Sequence, residues 1–311
     1  MWNRYHKKGG IHLKKLKIFV IVKALNSEFW QALLSGAKKA GDDFSDAVMV
    51  STHGPKEETD VEEQAEILNH LLSENPDAIV IASTSNDLTV PAIEKAMDSG
   101  IPVITIDNRI NTDKISAFIA TDNRKAAAFS ADKMAILLKQ AGNVKKSVVV
   151  LNSLADSKVD QDRDEGFLNR IQDLVCDINV LDTIHVENNL SLAEEKITEL
   201  IAATEGMISV FADNDQTGIG LARAVRKMHA QDRVYAFAFD SAEEEISAVK
   251  DGDLKGIVVQ NPFKMGYEGV KMAMEAVQGR QIERNVDTGA VIVTKENMNE
   301  SSVQELLYPN C

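Results

Sequence analysis

Short apolar runs rich in β-branched residues alternate with longer stretches whose apolar positions recur at helical spacing, almost from end to end of the chain. IFVIV (18–22), AVMVST (47–52), AIVIA (78–82), VITI (103–106) and SAFIA (116–120) read as strands. Strands of a parallel sheet are buried on both faces, so they appear as continuous apolar runs rather than in-out alternation. Between them, FWQALLSGAKKAG places Phe29, Leu33, Ala37 and Ala40 on one helical face and stops at Gly41. A second helix has Val61, Ala65, Leu68 and Leu72 as its stripe, a capping-box pattern in Thr59-Asp60 ahead of Glu62-Glu63, and an end at Asn75-Pro76. Asn86-Asp87 opens a third helix, closed by Gly100. From about Arg124 a long helix leads into a second series: SVVVL, DRDEGFLNRIQDLV, INVLDTI, SLAEEKITELIAAT, ISVFA, a helix near 216–228, VYAFAF, SAEEEISAVKDG, GIVVQ, a helix over 262–277, and AVIVT.

This order predicts an α/β protein of two similar lobes, each a parallel sheet with helices on both faces. Each half needs a full sheet, so the late segment around 260–287 is expected to complete the first lobe. The chain then crosses between lobes three times, near Asp122, Gln260 and Asp287. That gives 15–122 plus 261–287 as the N-terminal lobe and 123–260 plus 288–311 as the C-terminal lobe. No Pro/Gly/Ser-rich linker separates the halves, as expected for crossover strands. Parallel crossovers between two lobes make a hinge, and hinges permit closure on a ligand.

Composition narrows the function. The 311 residues carry 48 acidic and 34 basic side chains, a net charge of −14, which opposes binding to nucleic acid or anionic lipid. We therefore expect a monomer without affinity for DNA. Cys176 and Cys311 lack C-x-x-C spacing and say nothing of compartment. The basic start precedes an apolar run, Leu16 to Leu25, that is interrupted by Lys17 and Lys23 and lacks a small-residue cleavage site. It reads as the first strand, with residues 1–14 a disordered leader that is either a fusion remnant or what is left of a removed export signal.

Polar clusters recur where strands end: Ser27 with Phe29 and Trp30, Ser83-Thr84-Ser85, Asp107-Asn108-Arg109, Thr121-Asp122-Asn123, Asp160 to Arg163, Asp213-Asn214-Asp215, Phe239-Asp240 and Gln260. The carboxyl ends of parallel strands collect ligands in α/β folds. Carboxylates, amides and guanidinium groups suit paired hydroxyls, and aromatic faces suit the apolar side of a sugar ring. Each residue also has a plainer use. Asp107, Asn214 and Asp240 can serve as helix N-caps, and Phe29 and Phe239 as core. Arg163, placed by the pattern at a helix start where the dipole disfavours a cation, calls for a specific partner. No dinucleotide-binding glycine motif, P-loop or nucleophile elbow is present. The six histidines lack metal-ligand spacing. Neither cofactor, metal nor catalytic residue is expected.

The segments ALNSEFWQAL, DAIVIAS, IPVITID, FIATDN, RDEGF, VFADND, AFAFD and GIVVQNPFKMGYEGV resemble, in order, the motifs of periplasmic sugar-binding proteins of the ribose and galactose type, over about residues 16–295. The resemblance implies two Rossmann-like lobes joined by three crossover strands, closing on a sugar or polyol outside the cytoplasm and presenting it to an ABC permease. It implies Ser27, Phe29, Trp30, Asp107 and Thr121 as ligand contacts from the first lobe, with Arg109 beside the Asp. From the second it implies Arg163, Asn214, Phe239, Asp240 and the crossover residue Gln260. Three positions depart from the ribose type, which has Asn where Ala82 and Ser27 stand and Arg where Asn108 stands, and this points away from ribose itself. The same fold serves LacI-type effector domains and sensory sugar-binding proteins. A LacI-type reader would need a helix-turn-helix ahead of the first strand, for which about fifteen residues are too few.

Overall fold

A computed structural model describes residues 14–142 and 145–308. The expected leader, apart from Lys14, and Cys311 lie outside the described residues. The first half builds β1 (Leu16–Ile21), α1 (Glu28–Asp43), β2 (Val48–His53), α2 (Val61–Ser73), β3 (Ala78–Ile81), α3 (Val90–Asp98), β4 (Val103–Ile106) and β5 (Ala117–Ala120). The second builds α4 (Asn123–Gln140), β6 (Lys146–Asn152), α5 (Lys158–Leu174), β7 (Asn179–Val180), β8 (Ile184–His185), α6 (Leu190–Ala203) and β9 (Met207–Ala212). It continues with α7 (Asp215–Lys227), β10 (Val234–Phe239), α8 (Glu243–Asp251) and β11 (Gly256–Gln260). The chain closes with α9 (Pro262–Val277), β12 (Asn285–Asp287), β13 (Ala290–Val293) and α10 (Ser301–Leu307).

Two sheets result, ordered β12-β5-β4-β3-β1-β2 and β13-β11-β10-β9-β6-β7, with β8 also on β6. Every pairing is parallel except β11 with β13. This is the α/β, two-lobed architecture that the alternation predicts. The chain passes between sheets after β5, after β11 and after β12; α9, following the second pass, packs on α1 and on β1, β3, β4 and β5. The first and third passes run side by side, with Asp122 N donating to Asp287 Oδ1 (3.2 Å) and Thr288 N to the Ala120 carbonyl (3.0 Å).

The central strands are buried throughout: β3 and β4 at every position, and β11 likewise. Three expectations shift in detail. INVLDTI is not one strand but the two-residue pieces β7 and β8, at a sheet edge where half the positions are polar and little apolar surface is gained by pairing. In α2 the buried face is Gln64, Leu68 and Leu71, rotated from the expected stripe, and Asp60 stands at the N-cap without a side-chain cap bond. The third helix begins at Val90, after a turn over 86–89, rather than at Asn86.

The inward turn of Gln64 braces two of the strand ends. Its Nε2 donates to the Val22 and Ala82 carbonyls (2.9 and 2.8 Å), and its Oε1 accepts from the Thr84 amide and hydroxyl (2.8 and 2.9 Å). One buried amide thus satisfies four backbone or side-chain groups and ties the ends of β1 and β3 together.

Candidate functional site

The residues just beyond the strand ends of both sheets enclose one cavity of about 320 Å³. That is the lower end of the range for small-molecule sites. Two aspartates at corresponding places open it. Asp107 after β4 and Asp240 after β10 both adopt left-handed backbone, φ 69° and 84°. Their amides remain in the sheets, bonded to the Ile119 and Val258 carbonyls (2.9 and 2.8 Å), while the chain turns sharply out. Non-glycine residues held at such φ cost on the order of 1 kcal/mol or more and cluster where geometry serves function. Neither aspartate is a helix cap.

Each aspartate faces a cation. Lys23, continuing β1, bonds Asp107 Oδ2 at 2.7 Å with both side chains largely buried. Burial works against the lysine's charge, yet Asp107 and then Glu58 hold its pKa above the ordinary value. Arg163 is 3% exposed and lies over the Phe239 ring, its guanidinium carbon 3.7 Å from the centroid. Its Nε donates to Asn123 Oδ1 (2.9 Å) and its Nη1 to the Asp213 carbonyl (2.7 Å), with Asp240 Oδ2 at 3.7 Å. Asp240 Oδ1 accepts from Gln260 Nε2 at 2.7 Å. Burial raises the Asp240 pKa in spite of Arg163. α5 begins at Lys158, so Arg163 sits in the second turn rather than at the helix start, and the dipole there bears on it little. Its partners are specific all the same.

Behind Arg163 lies a nest of acids. Asp213 accepts the Ser153 amide through both oxygens (3.0 and 2.9 Å), and Asp160 accepts the Ser153 hydroxyl (2.6 Å), fixing the loop after β6 that forms one wall. Asp164 takes one bond from Asn152 (2.8 Å), and burial, with Asp160 nearby, pushes its pKa to about 7. Asp215 opens α7 on the cavity itself. Burial first, then Asp240 and Glu58, push its pKa to about 7.

Of the eleven expected contacts, eight line this cavity: Ser27, Phe29, Trp30, Asp107, Arg163, Asn214, Asp240 and Gln260. Asn214 does so while also capping α7, its Oδ1 accepting the Thr217 amide at 3.0 Å. Three stand elsewhere. Arg109 is exposed, stacked 4.3 Å over Phe118 and bonded to Asn285, because the chain has already turned outward at Asp107. Thr121 is buried at the first pass, its hydroxyl without a partner among the described residues. Phe239 is fully buried and serves as the floor under Arg163.

Several wall residues escaped sequence reasoning. Lys23 is marked only by interrupting an apolar run at the carboxyl end of a strand. Glu58 comes from the loop after β2, where it accepts Trp30 Nε1 at 2.6 Å. Asn86 and Glu187 add to the polar lining, as do Asn108, Asp160 and Asp215, which fall within strand-end clusters of the sequence but are not singled out there. Among the described residues no group of three or more His, Cys, Asp and Glu is placed to hold a metal.

Two α/β lobes with a polar, aromatic-walled cavity at their facing strand ends make a ligand-binding arrangement. The model of the family described as periplasmic binding protein domain matches residues 18–281, and the chain belongs to that family. It is 26% identical over 282 residues to the D-ribose/D-allose-binding protein of Pseudomonas aeruginosa, covering 88% of this chain and 86% of that one. The ribose import binding protein of Escherichia coli is 27% identical over 287 residues, 91% and 92% of the two chains. A carbohydrate transporter solute-binding protein from Agrobacterium radiobacter, solved with D-arabinose, superposes with TM-score 0.87 at 32% identity, over 94% of this chain and 99% of that one. One from Agrobacterium vitis, solved with D-fucose, gives 0.85 at 29%, over 94% and 100%.

Proposed function

We propose that this chain is an extracytoplasmic solute-binding protein that captures a sugar or related polyol between its lobes and delivers it to an ABC permease. The observation that carries the reading is the shared cavity, where Asp107, Asn108 and Trp30 of one lobe face Arg163, Asn214 and Asp240 of the other. Such a set holds a monosaccharide by hydrogen bonds to its hydroxyls and by the Phe29 and Trp30 rings against its carbon face. The lobes are 15–122 plus 261–287 and 123–260 plus 288–311, a division supported by the three passes between sheets. The family is one of transport binding proteins, so binding and release, without covalent chemistry, are the activity. The protein acts as a monomer and has no nucleic-acid partner, in keeping with its charge of −14.

Calorimetric titration against neutral pentoses and hexoses tests this, D-arabinose and D-fucose among them because related proteins were solved with these sugars. A bound sugar is expected, and Arg163→Ala should weaken it by about ten- to a hundredfold, the worth of a charge-assisted hydrogen bond. Glu199→Ala, on the surface, should leave affinity alone. If no sugar or polyol binds, or if Arg163→Ala loses fold stability but keeps full affinity, the reading fails.

A further inference from the structure

The cavity is unbalanced in its charge pairing. Every cation on its wall is already engaged: Lys23 with Asp107 at 2.7 Å, Lys158 with Asp162 at 2.9 Å, and Arg163 with Asn123, the Asp213 carbonyl and Asp240. Its acceptors are not matched in the same way. Glu58 from one lobe and Asp215 from the other both line the cavity, and among the described residues neither has a cation within 4 Å. Glu58 holds the Trp30 indole N–H and Asp215 the Gln216 amide (2.8 Å), which leaves each carboxylate with further lone pairs.

We propose that Glu58 and Asp215 set the specificity of the site as acceptors drawn one from each lobe. The solute then presents hydrogen-bond donors to both, as a neutral sugar or its amino derivative does, and a sugar carrying a carboxylate is refused. This rests on the reading of the protein as a sugar binder. Polar groups whose bonding capacity is left unmet on burial are costly, and the two acceptors are satisfied together only by a ligand with donors on two sides. Above pH 7, where Asp215 is ionised, an anionic substituent would meet two carboxylates across a water-poor space, where like charges repel far more strongly than in bulk water, while each cation on the wall already has a carboxylate beside it. Burial raises the carboxyl pKa of both Glu58 and Asp215, which is the same penalty on negative charge seen from the protein's side.

The test titrates the wild type, Glu58→Gln and Asp215→Asn with D-arabinose, D-fucose, and the matched sets galactose, galactosamine, galacturonate and glucose, glucosamine, glucuronate. For whichever ring configuration binds, the neutral or amino form should exceed the uronate by about a hundredfold or more. Each variant should lose about tenfold in affinity for the neutral sugar and narrow its margin over the uronate. Measured above pH 7, where Asp215 is ionised, both should also melt at higher temperature without ligand because each removes one buried charge, a readout that needs no ligand. Equal binding of a uronate and its neutral counterpart would overturn the inference while leaving the sugar reading intact. So would variants that keep wild-type affinity and discrimination. Absence of binding by every neutral and amino sugar would bring down both.

Discussion

Asp164 shows how a residue beneath the site leaves its mark on the whole protein. It faces Asp160, Arg163, Glu165 and Asp213, takes its one hydrogen bond from Asn152, and has a pKa of about 7 because of burial. An unfolded aspartate titrates near 3.9, so between that value and about 7 the folded protein holds the extra proton. The contribution of this group to stability is therefore fullest below the unfolded pKa and is lost as pH rises through 7, by at most about 1.4 kcal/mol per pH unit. Asp215 acts in the same sense. Urea midpoints of the ligand-free protein should fall between about pH 5 and about pH 8, and Asp164→Asn should flatten the fall. A midpoint that rises over that interval, or a variant with an unchanged slope, would show Asp164 to be ionised throughout. At this scale the sequence was informative where a polar residue closes an apolar run: Asp107, Asp240 and Gln260 were all legible that way. It was silent on Glu58, which comes from a loop with no pattern of its own, and on Arg109, because nothing in DNRIN reveals that the backbone turns at Asp107.

Among the elements, strands were the easiest to read. AIVIA, VITI and GIVVQ are buried on both faces and have no other use for so much apolar surface. Helix faces were harder: α2 turns Gln64 inward because two strand-end carbonyls there need a donor, and hydrophobic periodicity alone cannot foresee a buried amide. Harder still was the α1–α9 contact. A Cβ on Gly36 would lie 1.9 Å from the Phe263 carbonyl oxygen, and one on Gly266 2.0 Å from that of Leu33, so the two backbones touch. The glycines were visible in the sequence, but their partners lie far along the chain and only the return of α9 to the first sheet joins them. Gly266→Ala should destabilise the protein by about 3 kcal/mol or more, since two backbones must separate. Gly279→Ala, at φ 71° in open space, should cost about 1 kcal/mol. Denaturant unfolding of the two variants decides it. Similar losses would mean that α1 and α9 can part without strain.

For the molecule as a whole, three passes between two sheets and a cavity at their facing ends argue for closure about a hinge. One contact outside the passes spans the lobes: Glu28, the first residue of α1, accepts the Glu243 amide at 3.0 Å. Glu243 opens α8, where unpaired N–H groups and the helix dipole favour a carboxylate. Glu28 does not line the main cavity, so it can influence affinity only through the relative position of the lobes. A ligand that bridges the lobes shifts the population toward the closed form, and any interaction made only in that form adds to the apparent affinity. Glu28→Gln, which keeps an acceptor but removes the charge at the helix N-terminus, should thus weaken sugar binding by about two- to fivefold. It should do so while leaving the heat of unfolding of the free protein unchanged. In solution scattering, a proven ligand should contract the wild type, and at equal concentration contract Glu28→Gln less. Profiles that superimpose with and without ligand would show that binding occurs in one fixed arrangement of the lobes, and the Glu28 contact would then be incidental.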